Sequence, residues 1–320
     1  MISKLQQQII NGYQISKQEA LQLYEEADLE PLCQAANQIR EFYCGNCFDI
    51  CTIINGKSGK CTEDCKYCAQ SAHYQVNTET YPLLPVQDVV EQAIYNHDKG
   101  VLRFSIVTSG RCLNDEEIKQ VCHNYQQIGQ SCSILLCASH GLLNKEQLTQ
   151  LKEAGVVRYH NNLETSRRFF PSLCTTHSYA DKLNTIKYAQ QVGLNVCSGG
   201  IMGMGETVTD RIDLAFALKE LGIRSVPINI FSPIPGTPLA HLPILSNNEF
   251  CRIVAVFRFI LPQAALRLAG GRGLLPDKGR RVFASGANAA ISGDMLTTEG
   301  ISIEQDMIML KSLGYEVSAL

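Results

Sequence analysis

The chain has 320 residues, 45% of them hydrophobic, which suffices for a substantial core in one large domain or two smaller ones. A formal net charge of −3 without a long run of either sign argues against nucleic acid or an anionic membrane as partner and favours a small molecule. No apolar stretch approaches a membrane span, and the N-terminus, Met1-Ile-Ser-Lys-Leu-Gln-Gln-Gln8, has no apolar signal-peptide core, so a cytoplasmic location is expected.

Residues 1–45 read as helices: Ser16-Lys-Gln-Glu19 forms a capping box, and Ala20, Leu21, Leu23 and Tyr24 supply an apolar stripe. This segment is expected to be an N-terminal helical extension, serving as a lid or bottom cap. From about Phe48, short apolar runs alternate with helical segments, the pattern of repeated βα units around a parallel sheet. Eight strands are expected at residues 49–55, 102–108, 133–138, 156–160, 195–199, 225–230, 265–269 and 288–291. Helices are expected at 86–97, 114–128, 144–154, 179–192, 207–221, 247–260 and 278–285, with a last one at 303–313. That count fits an α/β protein of the (β/α)8 TIM-type barrel class, whose active site lies at the C-terminal ends of the strands. An open doubly wound sheet is the competing arrangement. No linker or low-complexity segment divides residues 46–320, which read as a single barrel domain.

Fourteen cysteines exceed what a cytosolic chain would use in disulfides, so metal ligation or catalysis must account for several. Cys33, Cys122, Cys174 and Cys251 have no partner motif and read as small buried hydrophobes. Cys61-Thr-Glu-Asp-Cys65-Lys-Tyr-Cys68 is different: its C-x3-C-x2-C spacing leaves a four-ligand metal centre one protein ligand short. Thiolates select soft metals, and three on one loop can hold three irons of a [4Fe–4S] cluster while the fourth iron takes an external ligand. The competing reading is a structural zinc site with His73 as fourth ligand, although zinc sites usually draw a second Cys/His pair from some distance away.

The spacing is that of the radical S-adenosylmethionine enzymes, and the longer stretch from Ser58-Gly-Lys-Cys61 through Ala69-Gln-Ser-Ala-His-Tyr74 resembles the biotin synthase family. The resemblance continues in Val196-Cys-Ser-Gly-Gly-Ile-Met-Gly-Met-Gly-Glu-Thr207, Ser225-Val-Pro-Ile-Asn-Ile230, Gly236-Thr-Pro-Leu239, Arg267-Leu-Ala-Gly-Gly-Arg272, Gly286-Ala-Asn288 and Leu296-Thr-Thr298, in the family's order. It implies a barrel that converts dethiobiotin to biotin by radical hydrogen abstraction and sulfur insertion. The cofactors implied are a [4Fe–4S] cluster on Cys61, Cys65 and Cys68, S-adenosylmethionine, and an auxiliary iron–sulfur cluster as sulfur donor, [2Fe–2S] or a larger variant. An electron donor such as flavodoxin or ferredoxin and a homodimeric assembly are implied as well.

Matched residue by residue, the resemblance places Tyr67 beside the adenine, Glu164 on the ribose hydroxyls and Lys182 near the methionine carboxylate. Gly199 and Gly200 lack a Cβ and would let a ligand approach the backbone closely. Asn162 and Asn229, read on strands four and six, match ureido-binding asparagines; a buried Asn229 in an apolar strand would otherwise leave polar groups unsatisfied. His160 stands where the family usually has another Asn, so His160 or Asn161 would substitute for it.

For the auxiliary cluster, Cys137, Cys197 and Arg267 match three of the family's four ligands, while the remaining position falls on Ser105 in Arg103-Phe-Ser-Ile-Val-Thr-Ser-Gly110. Serine is a poor ligand for iron. Period-two alternation puts Cys51 on one strand face with Ile53 and Asn55, and Cys51 is expected to replace the missing thiolate; Cys112, in a loop, would have to fold back. Arg267 has an ordinary reading too, as a barrel arginine paired with a carboxylate. Cys44 and Cys47 precede the first strand, at the opposite end of the barrel, and read as structural. Ser105 keeps open a related radical enzyme of the hydrogenase-maturation or methylornithine type; a zinc-stabilised binding protein is the alternative from another class.

Overall fold

Strand-forming runs and capped helices alternate in the computed structural model, which describes residues 2–296 and 300–320; Thr297 and Thr298 of the block beginning at Leu296 lie outside the described residues. The strands are β1 (Cys47–Lys57), β2 (Arg103–Thr108), β3 (Leu135–Ser139), β4 (Val156–His160), β5 (Asn195–Cys197), β6 (Gly200–Met202), β7 (Ser225–Ile230), β8 (Ala265–Leu268), β9 (Ala289–Ser292) and β10 (Glu316–Val317). β1 to β9 pair in parallel, and β9 returns to β1 with Asp49 opposite Ala289 and Thr52 opposite Ser292. This closure removes the sheet edges and excludes the open doubly wound arrangement. The fifth stave, expected as one strand over 195–199, is broken at Ser198-Gly199 into β5 and β6; counted as one, it completes the eight staves of a TIM-type barrel. β10 was not foreseen; it extends the lower end of β1, with Cys47 opposite Glu316.

The helices are α1 (Ile2–Ile10), α2 (Lys17–Glu26), α3 (Leu29–Cys44), α4 (Val86–Asp98), α5 (Asp115–Ser131), α6 (Lys145–Glu153), α7 (Tyr179–Gln191), α8 (Val208–Glu220), α9 (Asn247–Ile260), α10 (Arg280–Phe283) and α11 (Ile303–Ser312). The Ser16 capping box forms, with Ser16 N donating to the Glu19 carboxylate at 2.8 Å and Glu19 N donating to Ser16 Oγ at 3.2 Å. The same reciprocal device opens α5, α6, α7 and α8 through Asn114/Glu117, Asn144/Gln147, Ser178/Asp181 and Thr207/Asp210. The loops entering these four helices therefore do so with first-turn N–H groups satisfied, whereas α4 and α10 start without a side-chain cap.

Period-two alternation divides the strands cleanly. Phe48, Ile50, Phe104, Ile106, Val226, Ile228, Leu266 and Leu268 point outward into the apolar layer under the helices. Asp49, Cys51, Arg103, Ser105, Cys137, Arg158, Cys197 and Arg267 point inward. A polar, sulfur-rich barrel interior is costly unless something occupies it. Of the two roles expected for the N-terminal helices, a lid or a bottom cap, the packing removes the lid. α3 packs along α9, α2 lies against α8 and α9, and among the described residues none before Cys51 lines the upper cavity. Among the described residues, no helix is long and apolar enough to cross a membrane.

Candidate active site

Beyond β1, the loop carrying Cys61, Cys65 and Cys68 folds back on itself. Cys61 N donates to Gln70 O at 3.0 Å, Ala72 N to Cys61 O at 2.8 Å and Cys68 N to Cys65 O at 3.0 Å. The three thiols are half-buried and line the mouth of a cavity of about 450 Å³ inside the barrel. Burial pushes the Cys61 thiol up and the Cys68 thiol up to about 11, so ligation here requires a metal that displaces the protons. His73 bonds the Thr62 carbonyl through Nε2 at 2.9 Å and does not line the cavity, which removes it as a fourth ligand to this loop.

The segment between β4 and α7 buttresses the loop. Lys66 N donates to Leu173 O at 2.9 Å, and Asp64 accepts from Thr175 N at 2.8 Å and Thr176 N at 3.1 Å. Cys174 is buried, as expected, but it is no inert hydrophobe: its sulfur lies 3.7 Å from Cys65 Sγ and 3.2 Å from His177 Nδ1. Glu63, His177, Arg111 and Cys174 were not singled out as a group. They lie far apart in sequence, and only Glu63, inside the cysteine loop, carried a local signal.

Tyr67, Glu164 and Lys182 all line the cavity beside the three thiols. Burial raises the Tyr67 hydroxyl well above its usual range, so it stays a neutral donor. Glu164 adopts φ of +69°, uncommon for a residue with a Cβ, and its Oε1 lies 4.0 Å from Lys182 Nζ. Asn162 lies two residues beyond the end of β4 rather than on the strand. Its Nδ2 donates to Glu164 Oε2 at 3.3 Å and its Oδ1 accepts from Gly199 N at 3.0 Å.

Two sequence arguments are overturned by packing. Gly199 and Gly200 do not line the cavity: a Cβ on Gly199 would overlap the Pro227 carbonyl, and one on Gly200 the Glu164 carbonyl, so backbone rather than ligand demands the missing side chains. Asn229, on β7, is satisfied without a ligand, since Nδ2 donates to Gly200 O at 3.0 Å and Oδ1 accepts from Gly270 N at 2.8 Å. The orphan at this site is Asn161, a cavity-lining residue whose Nδ2 donates to Gly141 O at 2.9 Å while its buried Oδ1 has no partner.

Toward the barrel floor the cavity wall carries Cys51, Cys137, Cys197, Ser105 and Arg267. Cross-strand register seats Ser105 opposite Cys137 and His160 opposite Cys197, so His160 belongs to the sulfur-bearing layer. Burial pushes the Cys197 thiol up, but hydrogen bonding and charge from His160, with Arg267 and Arg158 behind it, bring it down to about 7. Burial dominates at the other two sites, raising Cys137 to about 12 and Cys51 upward as well. Below them sits Asp49, with Arg267 at 2.6 Å, Arg103 at 2.9 Å and Arg158 at 3.9 Å. Arg267 Nη1 also donates to the carbonyls of Asp49 and Ala290, at 2.8 and 2.9 Å, leaving a buried Nε without a partner. Against the opposing effect of burial, the Asp49 carboxylate holds its guanidinium cationic, so it offers N–H groups rather than a lone pair. Cys112 is exposed and does not line the cavity; Cys44 and Cys47 lie at the opposite end.

The Radical SAM superfamily profile matches residues 57–232, and that of the Biotin and Thiamin Synthesis associated domain matches residues 227–316. With the cysteine loop at the C-terminal mouth of a closed barrel, the chain is a radical S-adenosylmethionine enzyme, a class that implies a [4Fe–4S] cluster and S-adenosylmethionine. A curated biotin synthase of Akkermansia muciniphila is 57% identical over 317 residues, 99% of this chain and 98% of that protein. One from Clostridium botulinum is 55% identical over 316 residues, 99% of each. The chain belongs to the biotin synthase family. A solved methylornithine synthase shares the fold, with a TM-score of 0.86 at 20% identity over 98% of this chain and 97% of that one.

Proposed function

We propose that this enzyme converts dethiobiotin to biotin, drawing sulfur from an auxiliary iron–sulfur centre held at the barrel floor. The observation that carries this reading is a single cavity with Cys61, Cys65 and Cys68 at its mouth and Cys51, Cys137 and Cys197 deeper in its wall. When bound, the cluster with S-adenosylmethionine supplies a 5′-deoxyadenosyl radical able to take hydrogen from unactivated carbon.

The protein's part is ligation, orientation and exclusion of water. Three thiolates from one loop leave one coordination position for S-adenosylmethionine, with Tyr67 beside its adenine, Glu164 accepting ribose hydroxyls and Lys182 pairing with its carboxylate. Asn161 Oδ1, buried and unpartnered, accepts from the ureido ring of dethiobiotin. Asn162 and Asn229 keep spare capacity for the same ring after their backbone bonds, and His160 tunes Cys197 instead. Ile53, opposite Ser105, and Val107, opposite Asn55, add apolar side chains to the cavity wall that exclude water from the reacting carbon.

For the auxiliary centre, Cys51, Cys137 and Cys197 fit as thiolates of one inward-facing set. Arg267, engaged by Asp49, serves as a hydrogen-bond donor to the centre through Nε rather than as an iron ligand. The reading includes a flavodoxin- or ferredoxin-type electron donor, a homodimer and a thiol-preserving cytoplasm. It is tested by iron and sulfide analysis after anaerobic reconstitution. More iron than the four atoms of one [4Fe–4S] cluster, reduced by joint replacement of Cys51, Cys137 and Cys197, supports the inner centre. Iron content fixed at one cluster and indifferent to those replacements refutes it.

A further inference from the structure

We infer that Cys65, Cys174 and His177 bind one thiophilic divalent cation, zinc or ferrous iron, in the protein before its [4Fe–4S] cluster is assembled. Cys65 Sγ and Cys174 Sγ are 3.7 Å apart, Cys174 Sγ and His177 Nδ1 are 3.2 Å apart, and the three ligand atoms all fall within 4.8 Å of one another. A tetrahedral ion with metal–sulfur bonds of about 2.3 Å and metal–nitrogen bonds of about 2.0 Å spaces its ligands at about 3.5–3.8 Å. The two sulfurs stand at that spacing, and the imidazole nitrogen, 3.2 Å from Cys174 Sγ and within 4.8 Å of Cys65 Sγ, reaches it by side-chain rotation alone.

The pair Cys174-x2-His177 is the distant Cys/His partner that a zinc site normally requires, supplied by the β4–α7 segment to the cysteine loop. Cys174 and His177 are 3% and 9% exposed, which shields the ion from solvent. Glu63 Oε2 lies 2.5 Å from His177 Nδ1, positioned by Thr176 Oγ1 at 2.9 Å and Arg111 at 3.4 Å. When Nδ1 takes the metal, that contact is given up and the carboxylate is at hand for the fourth position. Two thiolates, an imidazole and a carboxylate suit zinc or ferrous iron and not the hard cations. Because Cys65 serves both sites, the mononuclear ion and the cluster exclude each other: ferrous iron held here is poised at the assembly site, and zinc blocks it.

The test is a Co2+ titration of the full-length, cluster-free, reduced protein, followed by competition with Zn2+ and Fe2+ in separate arms. One equivalent should bind, with thiolate-to-cobalt charge transfer and the strong visible bands of tetrahedral cobalt, and Zn2+ should displace it. Cys174→Ser and His177→Gln should each weaken binding at least about tenfold, while Cys61→Ser and Cys68→Ser change it by less than about twofold. Near-UV circular dichroism of the metal-free variants checks that they fold, and His177→Gln decides the matter if Cys174→Ser does not. Cobalt bound equally well without Cys174 and His177, or lost with Cys61, would overturn the assignment. Equal cobalt binding by cluster-loaded protein would overturn the exclusion.

Discussion

Arg267 Nη2 donates to Asp49 Oδ1 at 2.6 Å, and both side chains are sealed inside the barrel, at 1% and 0% exposure. Arg103 and Arg158 converge on the same carboxylate, so one buried anion faces three guanidinium groups beneath the floor cysteines. The proposed iron–sulfur centre, anionic with its thiolate ligands, would meet a net positive floor there.

Replacing that anion is the first prediction. Asp49→Asn should cost about 3–5 kcal/mol of stability, because it leaves buried cations uncompensated; the denaturant midpoint reads it. Burial raises the Asp49 carboxyl, but Arg267, Arg103 and Arg158 outweigh it and hold it at about 2, below the unfolded value. Its contribution is therefore fully present above about pH 4 and lost as pH falls through about 2. Acid titration of stability should show that component in the native chain and not in Asp49→Asn.

Asn161 and Asn229 should separate on different axes. Asn229→Ala strands Gly200 O and Gly270 N and should cost about 1–3 kcal/mol of stability. Asn161→Ala removes the unpartnered Oδ1 and the Nδ2 bond to Gly141 O, a carbonyl that still accepts from the Tyr159 hydroxyl at 2.7 Å, so it should raise the KM for dethiobiotin about tenfold with a smaller stability loss than Asn229→Ala. Equal KM effects from both would contradict the assignment of the unpartnered acceptor to Asn161.

Lys182→Met should weaken S-adenosylmethionine binding about tenfold or more, since it removes a charge-assisted pair and leaves Glu164 without a cation 4.0 Å away. Equilibrium dialysis on cluster-loaded protein measures it; an unchanged Kd would return Lys182 to a packing role against the Phe170 ring at 6.0 Å.

Gly199→Ala should destabilise the barrel by several kcal/mol, because the added Cβ overlaps the Pro227 carbonyl. The thermal midpoint should drop in the unloaded protein as much as in the loaded one. A drop confined to the ligand-bound form would restore the glycine pair to the cofactor site.

The barrel was legible because alternation and caps are local. Strands at 156–160 and 225–230 and the helix at 247–260 are met residue for residue, and Ser16-x2-Glu19 forms its box. The cysteine loop was legible because its ligands are contiguous, and Cys51 because two-residue alternation turns it inward with Ile53. What escaped depends on chain-distant atoms. Nothing near Asn229 announces that Gly200 and Gly270 will satisfy its amide, nothing at Gly199 announces the Pro227 carbonyl, and Cys174 acquires meaning only when the β4–α7 segment reaches Cys65.

The most direct measurement is an anaerobic turnover of the reconstituted enzyme with dethiobiotin, S-adenosylmethionine and a low-potential reductant, following biotin and 5′-deoxyadenosine together. Biotin should form with deoxyadenosine, and joint replacement of Cys51, Cys137 and Cys197 should abolish biotin while deoxyadenosine persists. Deoxyadenosine without biotin from the native chain would contradict the proposed substrate and the sulfur-donating floor.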